Sequence, residues 1–323
     1  MNRPRWAAAF LFLLFNSTLT LSAFERPTEA ERLRALGLLN YEPSALQRLL
    51  TPDSDFAPTR PPGAHDWLTL HEEPGQTFDD FFDSKPNQPD ATRRVIYLQP
   101  VGEFPAKTSP RLSELRAYAA AFFQLPVKVL PAVIPATDEF EPRQNPRSGD
   151  RQILTRRVLK FLQTRLPPDA FCILGITMTD LYPDPSWNYV FGAASLRERV
   201  GVYSFARHDP AFWGDPRPSD NAELILRRGC KVLAHETAHM FGLPHCIYYD
   251  CLVNGGNHLV EFDATPQHLC PVCLRKLHQS VGFDPVKRYE ELSRFYRRHE
   301  WREDADWVAH QLSKVPPAKA PKK

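Results

Sequence analysis

The sequence has no excess of charge of one sign, because its 323 residues carry 40 lysines and arginines against 38 aspartates and glutamates. A formal net charge of +2 excludes the strongly basic composition of proteins that bind nucleic acid through its phosphates. Glycine is scarce at 14 residues while proline reaches 32, which excludes collagen-like and Gly/Ser-linker architectures. Since 42% of the residues are apolar, we expect one large globular domain with extensions and proline-broken loops.

Long hydrophobic runs are also missing, since no stretch reaches the roughly 20 apolar residues that a membrane-spanning helix needs. A shorter run, residues 6–15, follows Arg3 and Arg5 and leads to the small-residue ending Leu-Ser-Ala at 21–23. This pattern predicts a signal peptide over residues 1–23 and therefore an exported protein, periplasmic or secreted, with no stable membrane span after cleavage. A buried N-terminal helix or an uncleaved anchor is the alternative interpretation.

Along the middle of the chain, short apolar runs typical of strands alternate with segments whose apolar residues have helical spacing. This alternation predicts an α/β fold. The continuous apolar run at 170–178 is typical of a strand buried on both faces. The predicted strands are 94–99, 127–130, 170–178, 188–194 and 201–205, the predicted helices are 110–124, 151–166, 270–277, 284–298 and 300–312, and the predicted exposed loops are 139–150 and 210–218.

One further helix is predicted to be long and to contain the candidate chemistry. It begins after Asp220, which together with Glu223 has the spacing of a capping box. Gly242 follows its last turn, at the position where helices commonly end in the left-handed conformation. The sequence HETAHMFGLPH occupies residues 235–245.

Three histidines of this segment have the spacing of a single catalytic zinc site. His235 and His239 lie four residues apart and project from one face of a helix, which suits a tetrahedral ion. Gly242 lets the chain turn back and present His245 as a third ligand, leaving the fourth position open. Glu236 is then placed to act as general base toward a zinc-activated water. The alternative is a set of surface histidines on an amphipathic helix.

Four of the six cysteines form a second candidate site. Cys246 and Cys251 are a C-x4-C pair, and Cys270 and Cys273 are a C-x2-C pair shortly after it. Two such pairs brought together are typical of a closed structural zinc site with four thiolate ligands. Two disulfides are the alternative, which the predicted signal peptide favours. Cys172 and Cys230 stand apart from this set in apolar or helical surroundings.

HETAHMFGLPHC followed by the two cysteine pairs resembles the archaemetzincins, metzincin-type zinc metallopeptidases with an additional four-cysteine zinc site. Three further segments are similar to this family, especially to its animal-type branch: DLYP at 180–183, VYSFAR at 202–207 and CPVCLRKL at 270–277. The resemblance covers about residues 90–283, with weaker similarity at 66–81. It implies a compact metzincin-like domain, with a mixed twisted sheet, backing helices, a long active-site helix and an edge strand bordering the cleft.

Carried over to matching positions, the resemblance implies two Zn²⁺ ions per chain, one catalytic and one structural. It makes His235, His239 and His245 the catalytic-zinc ligands and Glu236 the base, and it gives the second ion to Cys246, Cys251, Cys270 and Cys273. The family usually has Met where this chain has Val253, so we expect a slightly altered floor beneath the metal with zinc retained. The family's usual intracellular setting favours a cytoplasmic location, in conflict with the predicted signal peptide.

These observations predict a zinc metallopeptidase that acts on a peptide or protein substrate, does not bind nucleic acid and is a monomer. A catalytically silent, zinc-stabilised peptide-binding module is the alternative. Aminopeptidase-like and endopeptidase action both stay open, because a free-amine pocket needs a well-placed acid. Asp180, Asp184 and Glu261 are the candidates for that acid.

Several other side chains have two interpretations. His258 and His268 are interpreted as surface or supporting residues in preference to zinc ligands. Tyr248 and Tyr249 are candidates for stabilising an oxyanion, with loop packing favoured. Trp187 and Tyr189 are candidates for a substrate subsite or for packing at the rim.

The chain divides by composition and resemblance into five predicted parts. They are a signal peptide at 1–23, a proline-rich N-terminal extension packing on the core at 24–90, an archaemetzincin-like catalytic domain at 91–283, C-terminal helices at 284–313 and a flexible basic tail at 314–323.

Overall fold

The computed structural model describes residues 24–106 and 108–316. The signal peptide predicted for residues 1–23 and most of the predicted basic tail therefore lie outside the described residues. Within the described ranges, no helix combines the length and apolar character that crossing a membrane requires.

The described residues form a mixed α/β structure, as the sequence predicts. Its helices are α1 (Glu29–Leu36), α2 (Ser44–Leu50), α3 (Trp67–Leu70), α4 (Phe78–Asp83), α5 (Leu112–Phe123), α6 (Thr155–Gln163), α7 (Asn221–Met240), α8 (Leu259–Ala264), α9 (Pro271–Val281), α10 (Pro285–Arg298) and α11 (Arg302–Ser313), with two short 3₁₀ helices at Ala206–His208 and Pro210–Trp213. Its strands are β1 (Val95–Val101), β2 (Val127–Val129), β3 (Arg143–Gln144), β4 (Arg151–Leu154), β5 (Ala170–Thr177), β6 (Asp180–Tyr182), β7 (Gly192–Ala194) and β8 (Val200–Ser204).

A five-stranded sheet in the order β2-β1-β5-β8-β7 forms the centre of the fold. β1 is parallel to β2 and β5, and β5 is parallel to β8, so that Ile96 of β1 lies opposite Val127 and Cys172. β7 runs antiparallel to β8 and lies at the edge of the sheet. All eight residues of β5 are buried, in agreement with its continuous apolar run.

Helices cover both faces of this sheet, and alternate residues of each strand supply the two cores. Leu98 and Leu174 point into the larger core, where α5 and α7 pack. Tyr97 and Ile173 point into the smaller core beneath α6. α7 is therefore backed by the sheet and by α5, which fixes the position of the motif that it contains.

The region between β2 and β5 differs from the prediction. Residues 151–154 are not the start of a helix but strand β4, which pairs with β6 and β3 in a second, three-stranded sheet. Gln152 is fully buried and donates through Nε2 to the Asp180 carboxylate at 2.7 Å. Strand pairing and this buried hydrogen bond outweigh the helical spacing of the apolar residues. The strand predicted at 188–194 is likewise shorter, since only residues 192–194 pair as β7.

The capping box predicted for α7 is absent from the described structure. The Asp220 side chain makes no capping hydrogen bond, and the Glu223 carboxylate instead accepts from His299 Nδ1 at 3.0 Å and Trp301 Nε1 at 3.3 Å. A contact with the loop between α10 and α11 has replaced the local one. The end of α7 agrees with the prediction, because Gly242 adopts a φ of +86° and Pro86 packs against it.

The N-terminal extension contributes to the larger core. Leu46, Leu49 and Phe81 are fully buried there. The helices that contain them pack against α9, and α2 also packs against α10. The backbone of the extension also bonds to the loop that follows the zinc motif, since the Asp250 N–H donates to the Ala57 carbonyl at 2.9 Å.

Candidate metal centre and cleft

The end of α7 and the turn at Gly242 bring the three motif histidines together. One ring nitrogen from each of His235, His239 and His245 lies within 4.8 Å of the others. The two helical histidines approach most closely, with their Nε2 atoms 3.0 Å apart.

The other ring nitrogen of each of the two helical histidines has its own partner. His235 Nδ1 donates to the Leu252 carbonyl at 3.0 Å, and His239 Nδ1 donates to the Leu243 carbonyl at 2.6 Å. With the proton assigned to Nδ1 by these carbonyls, each Nε2 presents a lone pair to its neighbour. Two lone pairs facing each other at this distance repel unless a cation lies between them, so the donor set fits a metal ion.

Burial keeps these imidazoles in the form that binds metals. Removal from water, reinforced by the neighbouring His245, lowers the pKa of His239 to about 3. Burial and the two other histidines hold the pKa of His235 well below 6.5. Both rings are therefore neutral at pH 7, as metal coordination requires.

The carboxylate of Glu236 lies beside this cluster and is almost entirely buried. Within the described residues its Oε2 atom has no hydrogen-bond partner, and burial raises its pKa to about 8. The backbone of edge strand β7 packs against it, because a Cβ added at Gly192 would lie 2.4 Å from Glu236 Oε1. This polar side chain is thus held in a confined position facing the cleft.

The four cysteines form a second cluster, with their Sγ atoms within 4.8 Å of one another. Cys246 Sγ and Cys270 Sγ are 3.6 Å apart, much longer than the roughly 2.05 Å of a disulfide. All six cysteines of the chain are unbonded thiols in the described structure. Hydrogen bonds from Cys251, Cys270 and Cys273 hold the pKa of Cys246 well below its ordinary value. Four converging sulfurs with a stabilised thiolate fit a closed metal site.

A cleft of about 360 Å³ opens beside the histidines. Its walls come from α7, from the segment around β7, from the loop before α8 and from the N-terminal extension. The lining residues are Trp67, Glu73, Trp187, Tyr189, Val190, Phe191, Gly192, Ala193, Ala194, Leu196, Val232, His235, Glu236, His239, Pro244, His245, Gly256, Asn257 and Phe262. Apolar walls around a few polar groups are typical of a substrate site.

Comparison with known proteins agrees with this geometry. The model of peptidase family M54 matches residues 155–279. Archaemetzincin-2 from Homo sapiens is 39% identical over 281 residues, which cover 77% of this chain and 78% of that protein. The chain belongs to the archaemetzincins. It is accordingly a zinc metallopeptidase.

More distant archaemetzincins match as well. Archaemetzincin-1 from Mus musculus is 34% identical over 262 residues, covering 72% of this chain and 52% of that protein. A solved archaemetzincin from Methanopyrus kandleri is 27% identical with a TM-score of 0.47, and the match covers 60% of this chain and 99% of that one.

Val253, at the position where the family resemblance leads us to expect Met, is fully buried. Its carbonyl accepts from the Cys246 N–H at 2.9 Å, and the preceding Leu252 carbonyl receives His235 Nδ1. The turn that contains Val253 therefore holds both clusters through its backbone.

The three acids proposed for a free-amine pocket do not line the cleft of this archaemetzincin. Asp180 forms a buried pair with Arg207 at 2.8 Å. Asp184 accepts from Ser186, and Glu261 accepts from the backbone N–H groups of Trp67 and Asn257.

The remaining candidates divide between the cleft and the loops. Trp187 and Tyr189 line the cleft. His258 bonds to Asp66, and His268 stacks on Trp307. Tyr248 and Tyr249 are buried in the loop after His245 and do not line the cleft.

One residue at the centre has no counterpart in the sequence prediction. Glu73 of the N-terminal extension lines the cleft, and its Oε1 accepts from His245 Nδ1 at 2.7 Å. Burial alone would raise the pKa of Glu73, but the hydrogen bonds from His245 and Trp67 outweigh the effect of burial, so the pKa is lowered. Glu73 belongs to no motif and is 172 residues from its partner, so no spacing signal identifies it.

Proposed function

We propose that this archaemetzincin hydrolyses peptide bonds at the His235, His239 and His245 cluster, with Glu236 as general base. The observation that carries the proposal is the convergence of three imidazoles, each with its Nδ1 engaged, beside the buried Glu236 carboxylate, whose Oε2 has no partner among the described residues. When bound to these nitrogens, zinc supplies a Lewis acid that polarises a carbonyl and makes a water molecule more acidic.

The chain's own residues supply the proton transfer and the binding. In its ionised form, which a cation at the neighbouring histidines would favour, Glu236 accepts a proton from water at a carboxylate oxygen and delivers it to the amine nitrogen that leaves. The walls around Phe191 and Phe262 exclude water and take up apolar parts of the peptide. β7 is the edge strand of the five-stranded sheet and lines the cleft, where an extended peptide can bind as an added strand.

We propose further that the four cysteines hold a second, structural zinc ion, giving two ions per chain. Four thiolates leave no position for water, so this ion has no part in hydrolysis. Its effect is to join the loop after His245 to the start of α9, where Cys270 and Cys273 lie.

The test is the Glu236→Gln variant, with Glu103→Gln as the exposed matched control. We expect Glu236→Gln to keep its metal and to lose about 10²- to 10⁴-fold in cleavage of a peptide library, the usual contribution of a general base. The control Glu103→Gln should keep both its metal and its cleavage activity. Full cleavage by Glu236→Gln, or unchanged metal content in a His235→Ala/His239→Ala variant measured by mass spectrometry, would overturn the proposal.

Aminopeptidase-like action is the finer form of this proposal. It requires a carboxylate in the cleft to receive a free α-amine, and Glu73 is the acid that lines the cleft beside Glu236. Comparing one peptide with its N-acetylated form tests it. A strong preference for the free amine supports aminopeptidase-like action, and equal cleavage contradicts it.

The setting proposed for the enzyme is export, on the basis of the signal-peptide pattern at residues 1–23. Mass measurement of the protein recovered from its native host checks this proposal. A chain beginning at Phe24 supports export, whereas a chain retaining residues 1–23 in the cytoplasm contradicts it.

A further inference from the structure

The Glu73 carboxylate lies in the loop between α3 and α4, against the metal cluster. Its Oε1 atom accepts two hydrogen bonds, from His245 Nδ1 at 2.7 Å and from Trp67 Nε1 at 2.8 Å. The indole N–H can only donate, so this pair of contacts suits an ionised carboxylate. The Glu73 side chain is only 16% exposed, which strengthens both bonds.

The three histidines differ in what holds them. His235 and His239 donate to backbone carbonyls of the segment that follows α7. His245 donates to a carboxylate from a distant part of the chain. A charged acceptor binds an imidazole N–H more strongly than a neutral carbonyl does, and it makes the imidazole a better donor toward a metal. His245 is therefore the histidine whose orientation depends on the N-terminal extension.

The extension is fixed on both sides of Glu73. Before it, the Trp67 N–H donates to Glu261 Oε1 at 2.9 Å. After it, Gln76 Nε2 donates to the Gly242 carbonyl at 3.3 Å, and the Lys276 ammonium donates to the Gln76 carbonyl. These contacts reach α8, the end of α7 and α9, so Glu73 is aligned by three elements of the catalytic region.

We propose that Glu73 is a positioning residue for His245, through which the N-terminal extension retains the metal of the catalytic centre. The inference rests on the metal site proposed above. It gives the extension a part in metal binding, in addition to its part in the core.

The coupling acts in both directions. If the docked extension tightens metal binding, then metal at the histidines must stabilise the docked extension by the same factor. The segment from Trp67 to Gln76 should therefore open more readily in the metal-free full-length enzyme than in the loaded one.

The first experiment compares Glu73→Ala, Glu73→Gln and the exposed neighbour Glu72→Gln as matched control, all in the full chain. Zinc retention is measured by competition with a chelator. We expect about 10- to 100-fold weaker retention of the histidine-bound ion in Glu73→Ala, the usual effect of removing such a partner. Glu73→Gln keeps a neutral acceptor, so its zinc retention should lie between those of the wild type and Glu73→Ala. Glu72→Gln should retain zinc like the wild type.

A structural role for Glu73 predicts a different pattern. General destabilisation would lower the thermal midpoint and would also weaken retention of the zinc held by Cys246, Cys251, Cys270 and Cys273. The cysteine-bound ion therefore serves as an internal reference. In a His245→Ala background, we expect Glu73→Gln to have no further effect on the affinity of the remaining site. An additional loss in that background would overturn the inference.

Hydrogen exchange supplies a readout independent of activity. Removing the histidine-bound metal should speed amide exchange at residues 67–76 in the wild type but not in Glu73→Ala, which has lost the coupling. Equal retention of zinc by Glu73→Ala and wild type overturns the inference and leaves the metal site intact. If His235→Ala/His239→Ala keeps the metal content of the wild type, the proposed metal site itself fails.

Discussion

At the scale of single residues, the position of Glu236 depends on Gly192, because that residue has no side chain. It lies on edge strand β7, and its lack of a Cβ leaves room for the Glu236 carboxylate. The strand thus defines, through backbone contact, the position of the Glu236 carboxylate that we propose as the base. A reacting group displaced by about 1 Å can lose on the order of 10²-fold in rate.

We therefore predict that Gly192→Ala reduces peptide cleavage about 10²-fold while metal content and thermal midpoint stay close to wild type. The new Cβ would lie 2.4 Å from Glu236 Oε1, so the carboxylate must move. Steady-state cleavage together with metal analysis checks the prediction. Gly63→Ala is the control, because its Cβ would meet Asp66 at an ordinary 3.5 Å. Wild-type activity in Gly192→Ala would show that the base tolerates displacement.

At the scale of elements, a buried ion pair joins β6 to the 3₁₀ helix after β8. Arg207 Nε and Nη2 donate to the Asp180 carboxylate at 2.9 and 2.8 Å, and the two side chains are only 4% and 1% exposed. The guanidinium also lies 3.5 Å from the ring centroid of Tyr189, which lines the cleft. The pair therefore anchors one wall of the cleft to the second sheet.

Breaking this pair from one side should be costly. We predict that Arg207→Met lowers the free energy of unfolding by about 3–5 kcal/mol, because it leaves the Asp180 charge buried without its partner. The matched control is Arg93→Met, whose partner Asp90 is 39% exposed. That change should cost far less, because both side chains of the pair are in contact with water. Urea denaturation of both variants decides the matter, and similar costs for the two would count against the argument.

Local signals predicted some elements well and others poorly. α7 and its end at Gly242 follow from helical spacing and from the conformational freedom of glycine, and β5 follows from its apolar run. β4 was missed because its four residues also fit a helical pattern, and pairing with β6 decides its structure. Glu223 was assigned to a local cap, but contacts with His299 and Trp301 take its carboxylate.

The candidate site divides in the same way. The histidines, Glu236 and the cysteines lie at short, regular spacings, so their types and order were sufficient to group them. Glu73 and Gly192 reach the centre through long-range packing, which leaves no periodic trace in the sequence. Residues that build the site were therefore predictable, and residues that orient it were not.

At the scale of the whole molecule, His208 ties stability to pH. It is fully buried among Phe191, Phe205 and Phe262, and within the described structure neither ring nitrogen has a hydrogen-bond partner. Burial, with the charges of Arg228 and Lys231, lowers its pKa from 6.5 to about 3. The unfolded chain therefore binds a proton between these values that the folded chain rejects.

Because the folded-state pKa is depressed, stability is full above pH 6.5 and is lost as the pH falls from about 6.5 toward 3. We predict that His208 alone removes about 2 kcal/mol between pH 7.5 and pH 5. His208→Leu, which gives up no hydrogen bond, should flatten the pH profile by that amount. Urea denaturation at the two pH values measures it, and parallel losses in wild type and variant would contradict the assignment.

The bond between Glu73 and His245 also bears on how the enzyme is made, since the two residues are 172 positions apart. A ribosome adds about 5–20 residues per second, so roughly 10–30 s separate the synthesis of the two partners. The thiols at Cys270 and Cys273 emerge later still. The histidine cluster cannot be complete before residue 245 has been translated, and until then the Glu73 carboxylate has no imidazole to bind.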